Sequence, residues 1–171
     1  MTLKHSFPAI ADPDARLLIL GSLPGDRSLA AQRYYAHPQN QFWQLMSPVV
    51  GQDLGPLAYE DRLAALRAHG VAVWDVVRSA RRAGSSDAAI LDLEGNDIAG
   101  LVARLPKLRA IAFNGGTAFK QGVRLLGNDF DGAAIVALPS SSPLHTIGVA
   151  AKQPAWSALA AFLTGPYPPR G

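Results

Sequence analysis

Four short segments of the chain carry most of the side chains that could bind a polar ring, grip an anion or move a proton. Gly21 to Gln41 holds Ser22, Asp26, Tyr34, Tyr35, His37 and Asn40, and Asp75 to Asp87 holds Asp75, Arg78, Arg81 and Arg82. Asn114 to Thr117 opens on Asn114, and Pro139 to Thr146 holds Ser140, Ser141, Ser142 and His145. An asparagine sets a carbonyl acceptor beside an NH2 donor, the pair that reads a base edge bidentately. Serines framed by prolines hold DNA phosphates through hydroxyls and backbone N–H groups, or press a short wedge toward a duplex. Three closely spaced arginines, Arg78, Arg81 and Arg82, suit a phosphate track.

Each of these residues also has a plainer use. Asn114 before two glycines fits a turn, Asp26 after Gly25 fits a helix cap, and the arginines fit a solvated face. The serines with His145 fit an exposed turn, and Tyr34, Phe42 and Trp43 fit core packing. The first segment has neither the Gly-Lys-Ser/Thr of a Walker A loop nor a GxGxxG fingerprint, although its glycines let the backbone approach a flat or anionic ligand.

Composition narrows the chemistry further. The chain has 171 residues, 49% hydrophobic and 17% charged, which suits one compact domain over 1–171. It contains no cysteine, so disulfides, thiolate nucleophiles, Cys-based zinc sites and iron–sulfur clusters are excluded. No window reaches the roughly 18 apolar residues of a membrane span, and the first residues lack a signal-peptide core. A cytoplasmic protein without membrane partners is expected. Sixteen Lys+Arg against 13 Asp+Glu leave a charge of +3, and twelve of the sixteen are arginine, whose planar fork matches phosphate.

The elements that must position these residues are legible as alternating patterns. Leu17 to Leu20, Val71 to Trp74, Ala110 to Phe113 and Ala133 to Leu138 are short apolar runs without alternation, as expected of parallel strands covered on both faces. Helical patterns cover Asn40 to Val50, Leu57 to His69, Asn96 to Leu105, Thr117 to Leu126 and Trp156 to Leu163. The class is therefore α/β, and ligands of such sheets bind beyond the carboxyl ends of the strands. All four polar segments follow those ends. The end of the chain, 164–171, with three prolines, reads as a loose tail.

Taken in order, GSLPGD with YYAHPQNQFW, VWDVVRSARRAGSSDAAI, AFNGGTAF and LPSSSPLHT resemble the uracil-DNA glycosylase superfamily, most closely its DNA-deoxyinosine (hypoxanthine-DNA) glycosylase branch. With Trp156 they span most of the chain. The resemblance implies a three-layer α/β/α fold with a central four-stranded parallel sheet, no cofactor, no metal ion, and action as a monomer. It implies excision of a deaminated base, uracil or hypoxanthine, from DNA as partner, by hydrolysis of the N-glycosidic bond. Such chemistry requires the base to leave the stack and enter a pocket. The absent cysteines rule out the cluster-bearing branches.

The resemblance also assigns roles. Asn40 matches the asparagine important for catalysis in the deoxyinosine branch, Asn114 the amide that recognises the flipped base, and Phe42 the ring of the Asn-x-Phe-Trp segment. Gly21, Ser22, Leu23 and Tyr34 join the base pocket. Ser140, Ser141, Ser142 and Pro143 form the minor-groove loop, and Arg78, Arg81 and Arg82 grip the DNA. The chain departs from many superfamily members at Leu23, where they carry a water-orienting Asp or Asn. Asp26 is the candidate substitute. His145 replaces an asparagine of the deoxyinosine branch and could stabilise the anionic leaving base.

Two other classes fit parts of the pattern. Ser22, Asn114 and His145 could serve a serine hydrolase, although no GxSxG elbow and no Asp shortly before His145 are present. A non-catalytic nucleic-acid-binding module would use the arginines and aromatic residues alone.

Overall fold

The four apolar runs fold as neighbouring strands because each must bury both faces. The computed structural model describes residues 3–164. In chain order it contains β1 (Leu3–His5), β2 (Leu17–Gly21), α1 (Asp26–Ala31), α2 (Phe42–Val50), α3 (Tyr59–Ala68), β3 (Val71–Asp75) and β4 (Val77–Arg81). A 3-10 turn (Asp87–Ala89), β5 (Leu91–Gly95), α4 (Ile98–Ala103), β6 (Ala110–Asn114), α5 (Gly116–Leu126), β7 (Ala134–Leu138) and α6 (Val149–Ser157) follow, and a second 3-10 segment covers Ala158–Leu163.

Strands β3, β2, β6 and β7 form, in that order, the expected four-stranded parallel sheet. Side chains along β2 alternate between two cores. Leu17 and Ile19 pack with Phe42, Leu45 and Met46 of α2, Leu63 and Leu66 of α3, and Trp156 of α6. Leu18 and Leu20 point the other way, into a core with Ile98, Leu101 and Val102 of α4 and Ala118 of α5. This is the three-layer α/β/α arrangement, and each fully buried leucine contributes about 2 kcal/mol. Both-face burial holds for β2, β3 and β6 except Trp74, which is half-buried, but not for the edge strand β7, where Ala134, Ile135 and Ala137 are exposed.

The expected helices are present with shifted ends, and α1 is an additional helix inside the first polar segment. The last helix begins at Val149 rather than Trp156, so Pro154 lies inside it. A proline removes one helical hydrogen bond, and the neighbouring turns and packing of Trp156 outweigh that loss. The expected loop from Asp75 to Asp87 is instead largely strand. Val77–Arg81 forms the centre of a second, antiparallel sheet ordered β1-β4-β5. Charged residues interspersed along β4 and β5, Arg78 and Arg81 on one and Asp92 and Glu94 on the other, hid these strands, since one face is open to water. Of the expected loose tail, only Thr164 lies within the described residues. Among the described residues, no helix is long and apolar enough to cross a membrane.

Helix α5 reaches its place because Gly122 has no side chain: a Cβ there would overlap the buried ring of Phe113. Gly122→Ala should therefore destabilise the protein, by about 1 to 3 kcal/mol of overpacking, despite alanine's higher helix propensity. Thermal denaturation checks this, and an unchanged or raised melting temperature would contradict it.

Candidate active site

The parallel register delivers four strand ends to one edge of the sheet, two of them with polar side chains. Gly21 of β2 pairs with Asp75 of β3, and Asn114 of β6 pairs with Leu138 of β7. Beyond them opens a cavity of about 390 Å³. Gly21, Ser22 and Leu23, Tyr35, His37 and Asn40, Asp75 and Asp87, Asn114, and the turn from Ser140 to His145 line it. Segments distant in sequence thus meet where an α/β sheet binds ligands.

A continuous amide–hydroxyl relay crosses this cavity. The backbone N–H of Ser141 donates to Asn114 Oδ1 at 2.8 Å, which fixes the orientation of that amide. Asn114 Nδ2 then donates to Ser141 Oγ at 2.9 Å and to the Tyr35 hydroxyl at 3.3 Å. Ser141 Oγ passes its own proton to Asn40 Oδ1 at 2.9 Å, and the Phe42 N–H donates to the same oxygen at 3.0 Å. With Oδ1 engaged by two donors, the NH2 group of Asn40, a residue that lines the cavity, is left without a hydrogen-bond partner among the described residues. A further bond, from Gln41 N–H to Ser141 O at 2.9 Å, docks the two segments together.

Tyr35 is the aromatic wall. Its backbone lies in the left-handed region, φ 52°, which few non-glycine residues occupy. That geometry stacks its ring on Phe42 at 3.9 Å with 12° between planes. Burial, followed by the charge of Asp75, pushes the Tyr35 hydroxyl well above its ordinary range, so it remains protonated.

The opposite chemistry holds at Asp75. The residue is 4% exposed, and Oδ2 has no hydrogen-bond partner among the described residues. Burial first, then the nearby Asp87 carboxylate, pushes Asp75 up to about 7, with Arg82 opposing. Asp87 is also raised by burial, but it accepts a 2.6 Å hydrogen bond from Ser22 Oγ, which favours its ionised form. Lys152, fully buried behind the serine turn, donates to Gln41 Oε1 at 2.7 Å and Ser142 O at 3.3 Å. Burial lowers its pKa, the cost of a cation bonded only to neutral oxygens.

Several expected site residues are placed differently. Phe42 is fully buried beneath Tyr35 rather than open to a base. Tyr34 is a core residue whose hydroxyl donates to Pro8 O at 2.9 Å, so the neighbouring tyrosine takes the pocket position. Ser141 is 1% exposed and serves the relay, leaving Ser140, Ser142 and Pro143 as the accessible part of that turn. Arg82, expected to grip DNA, is 1% exposed; its guanidinium donates to Pro24 O at 2.6 Å and Leu23 O at 3.4 Å, clamping the first loop from below. Arg78 and Arg81 are exposed on β4, pair with Glu94 and Asp92 of β5, and lie outside the cavity lining. Asp26 is half-exposed on the cavity rim and ion-pairs with Lys4 at 2.6 Å. His145 lines the rim and is exposed.

A Ser22–His145 hydrolase pair finds no support here, because the Ser22 proton is directed to Asp87. Asp75, Asp87 and Tyr35 are additional residues of the cavity lining, and Lys152 supports the serine turn from behind it without lining the cavity. Asp75 was findable, since it ends a predicted strand beside Gly21; Lys152 carried no local signal, because its burial arises only from packing of α6.

The family model of the uracil DNA glycosylase superfamily matches residues 7–160. The chain belongs to the uracil-DNA glycosylase superfamily. It is accordingly a DNA glycosylase, with the hydrophobic sheet and strand-end cavity just described. Two relatives bear the name hypoxanthine DNA glycosylase. One, from Methanosarcina acetivorans, is 39% identical over 157 residues, covering 92% of this chain and 98% of the relative. The other, from Methanosarcina barkeri, is 41% identical over 112 residues, covering 66% of this chain and 71% of the relative. A solution NMR structure from Methanosarcina acetivorans, provisionally described as a uracil DNA glycosylase, superimposes with a TM-score of 0.84 at 39% identity, covering 95% of this chain and 99% of that one.

The Asp75 carboxyl gives this glycosylase a pH-dependent stability. Below about pH 4 it is protonated in both folded and unfolded chains and costs nothing. Between about pH 4 and pH 7 only the unfolded chain ionises, so stability falls as pH rises, and above about 7 the whole cost, on the order of 4 kcal/mol, is present. Asp75→Asn removes that cost. Thermal melts should place the variant above the wild-type protein near pH 8 and bring the two together toward pH 4.

Proposed function

We propose that this glycosylase releases hypoxanthine, and with it uracil, from DNA by hydrolysing the N-glycosidic bond without a metal ion. The observation that supports this reading is the relay itself: Asn114 and Ser141 hold Asn40 by its Oδ1 in the lining of a base-sized cavity and leave its NH2 group unspent among the described residues. Both bases display a carbonyl beside an N–H, and an amide NH2 group is a complementary donor to that carbonyl. The two relatives called hypoxanthine DNA glycosylase favour the purine as the main substrate.

In this reading the flipped base stacks against Tyr35 over Phe42 and meets the Asn40 NH2 group, while Asn114 trades its bond to Tyr35 for one to the base. As the C1′–N bond stretches, the sugar gains oxocarbenium character and the base gains negative charge, which preorganised donors stabilise. Asn40 is the donor best placed for this, or for holding the attacking water. Ser140 and Ser142 receive backbone phosphates, and His145 stands on the rim of the same cavity. Leu144, 64% exposed at the tip of that turn, fills the space the extruded base leaves. Among the described residues lining the cavity there is no lysine, which favours hydrolysis over Schiff-base chemistry and strand cleavage.

The test is base release from single- and double-stranded oligonucleotides carrying hypoxanthine or uracil, with EDTA present, followed by alkaline cleavage of abasic sites. Abasic product, greatest with hypoxanthine, is expected; no product from any substrate would remove the reading. Asn40→Ala should lower single-turnover excision by about 10² to 10³-fold, the effect of losing one preorganised donor. Its affinity for duplex should change little, because phosphate contacts supply most binding. Excision by Asn40→Ala at the wild-type rate would remove Asn40 from the chemistry.

A further inference from the structure

The Asp75 carboxyl is a buried titratable group that the mechanism above leaves unused. It stands at the carboxyl end of β3, on the cavity wall, directly against the backbone of Gly21. A Cβ on Gly21 would come within 2.7 Å of Asp75 Oδ1 and 3.1 Å of the Tyr35 hydroxyl. Glycine is thus what lets this carboxyl and the tyrosine close on the same wall of the pocket. Its Oδ2 is buried with no hydrogen-bond partner among the described residues, an arrangement far more expensive for a charged carboxylate than for a protonated carboxyl.

The groups facing Asp75 decide its state. Asp87 approaches from the 3-10 turn, Arg82 from the end of β4, and Tyr35, with Tyr34 behind it, from the segment after α1. His37, Asp26 and His145 line the same cavity. Asp87 has the Ser22 hydroxyl to stabilise its charge, whereas Asp75 has no such donor. Two ionised carboxylates beside a base that gains negative charge would oppose bond cleavage. One must therefore be neutral when the base is bound, and the carboxyl without a donor is the one to take the proton. A neutral carboxyl in this position is a hydrogen-bond and proton donor.

Resting on the glycosylase reading, we propose that Asp75 is a catalytic acid that passes its proton to a ring nitrogen of the flipped base as the C1′–N bond breaks. The electron pair of that bond stays on the base, and the proton neutralises it. Water adds its oxygen to C1′, and the proton it sheds returns through solvent to the Asp75 carboxylate after the base departs. The sum is DNA plus water giving an abasic site and a neutral base. An acid matters most for a poor leaving group, so the role ties the pocket to bases that do not leave readily as anions. The direction in which burial and Asp87 shift Asp75 keeps a large share of it protonated near neutral pH.

Single-turnover excision of hypoxanthine by wild-type protein, Asp75→Asn and Asp75→Glu from about pH 5 to about pH 9 tests this. The wild-type rate should fall about tenfold per pH unit above the Asp75 titration. Asp75→Asn should lose on the order of 10²-fold or more at low pH and show little pH dependence, and Asp75→Glu should restore part of both. Losses in Asp75→Asn should shrink for 5-fluorouracil relative to uracil, because the fluorinated base leaves without help. Carboxyl 13C NMR of the free protein reports the same group independently of turnover, and a midpoint near 7 is expected. Wild-type rates with an unaltered pH profile in Asp75→Asn, an equal loss for good and poor leaving groups, or a midpoint below about 5, overturn the acid role while the glycosylase reading stands. A wild-type protein that releases no base overturns that reading and the acid role together.

Discussion

The hydroxyl of Ser141 joins the three parts of the protein that have to agree for a site to exist. It accepts from Asn114 at the end of β6 and donates to Asn40 ahead of α2, while its own backbone N–H and carbonyl bond Asn114 and Gln41. Four hydrogen bonds on one buried residue therefore fix the sheet end, the serine turn and the first loop relative to one another. Because a backbone N–H donates to the single amide oxygen of each asparagine, neither amide is free to flip. The relay converts two ordinary side chains into oriented ones, and it is orientation rather than acidity that an amide contributes to bond cleavage. Removing any one member would leave buried polar groups unsatisfied, so the network rigidifies the pocket even before DNA arrives.

Around the relay, the charge distribution is uneven. The Gly21 side carries Asp75 and Asp87 with Arg82 beneath them, and the serine-turn side carries Lys152. Neither arrangement is the most stable available. Among the described residues, Asp75 Oδ2 lacks a donor and the buried Lys152 cation is bonded to neutral oxygens. Packed apolar residues in their place would stabilise the fold. Their presence at one cavity, rather than scattered through the core, agrees with the tendency of enzymes to hold unfavourable buried charge where chemistry occurs.

The sequence made the main sheet legible because its strands are short, apolar and uninterrupted, and their ends named the cavity loops in advance. It placed Asn40 and Asn114 in loops that do meet at the cavity, but Asn114 before two glycines read equally well as a turn, and the role of Asn40 came only from the family resemblance. It failed where the signal was tertiary. Arg82 shares its local context with Arg78 and Arg81, yet only Arg82 turns inward, because the carbonyls of Leu23 and Pro24 lie beneath it. Tyr34 and Tyr35 are adjacent and chemically identical, and the left-handed backbone at Tyr35 decides which of them faces the pocket. Ser141 is one of three consecutive serines, and its burial follows from the docking of Asn40, a contact across 101 residues of chain.

That Leu23 occupies a position where many superfamily members place a water-orienting polar side chain now has a structural consequence. Leu23 is buried with Val77 and Ala80 of β4, in a small core under the first loop, while its carbonyl accepts from Arg82. A carboxylate at that position would have to be desolvated beside apolar side chains and would stand next to two acidic groups already on that wall. The leucine instead anchors the loop against the second sheet, and polar side chains of the cavity lining come from other elements. Asn40 enters from the segment before α2 and Asp75 from the end of β3, so the same cavity is served from different strands. A pocket assembled this way depends less on one motif than on the register between β2 and β3, which sets Gly21 opposite Asp75.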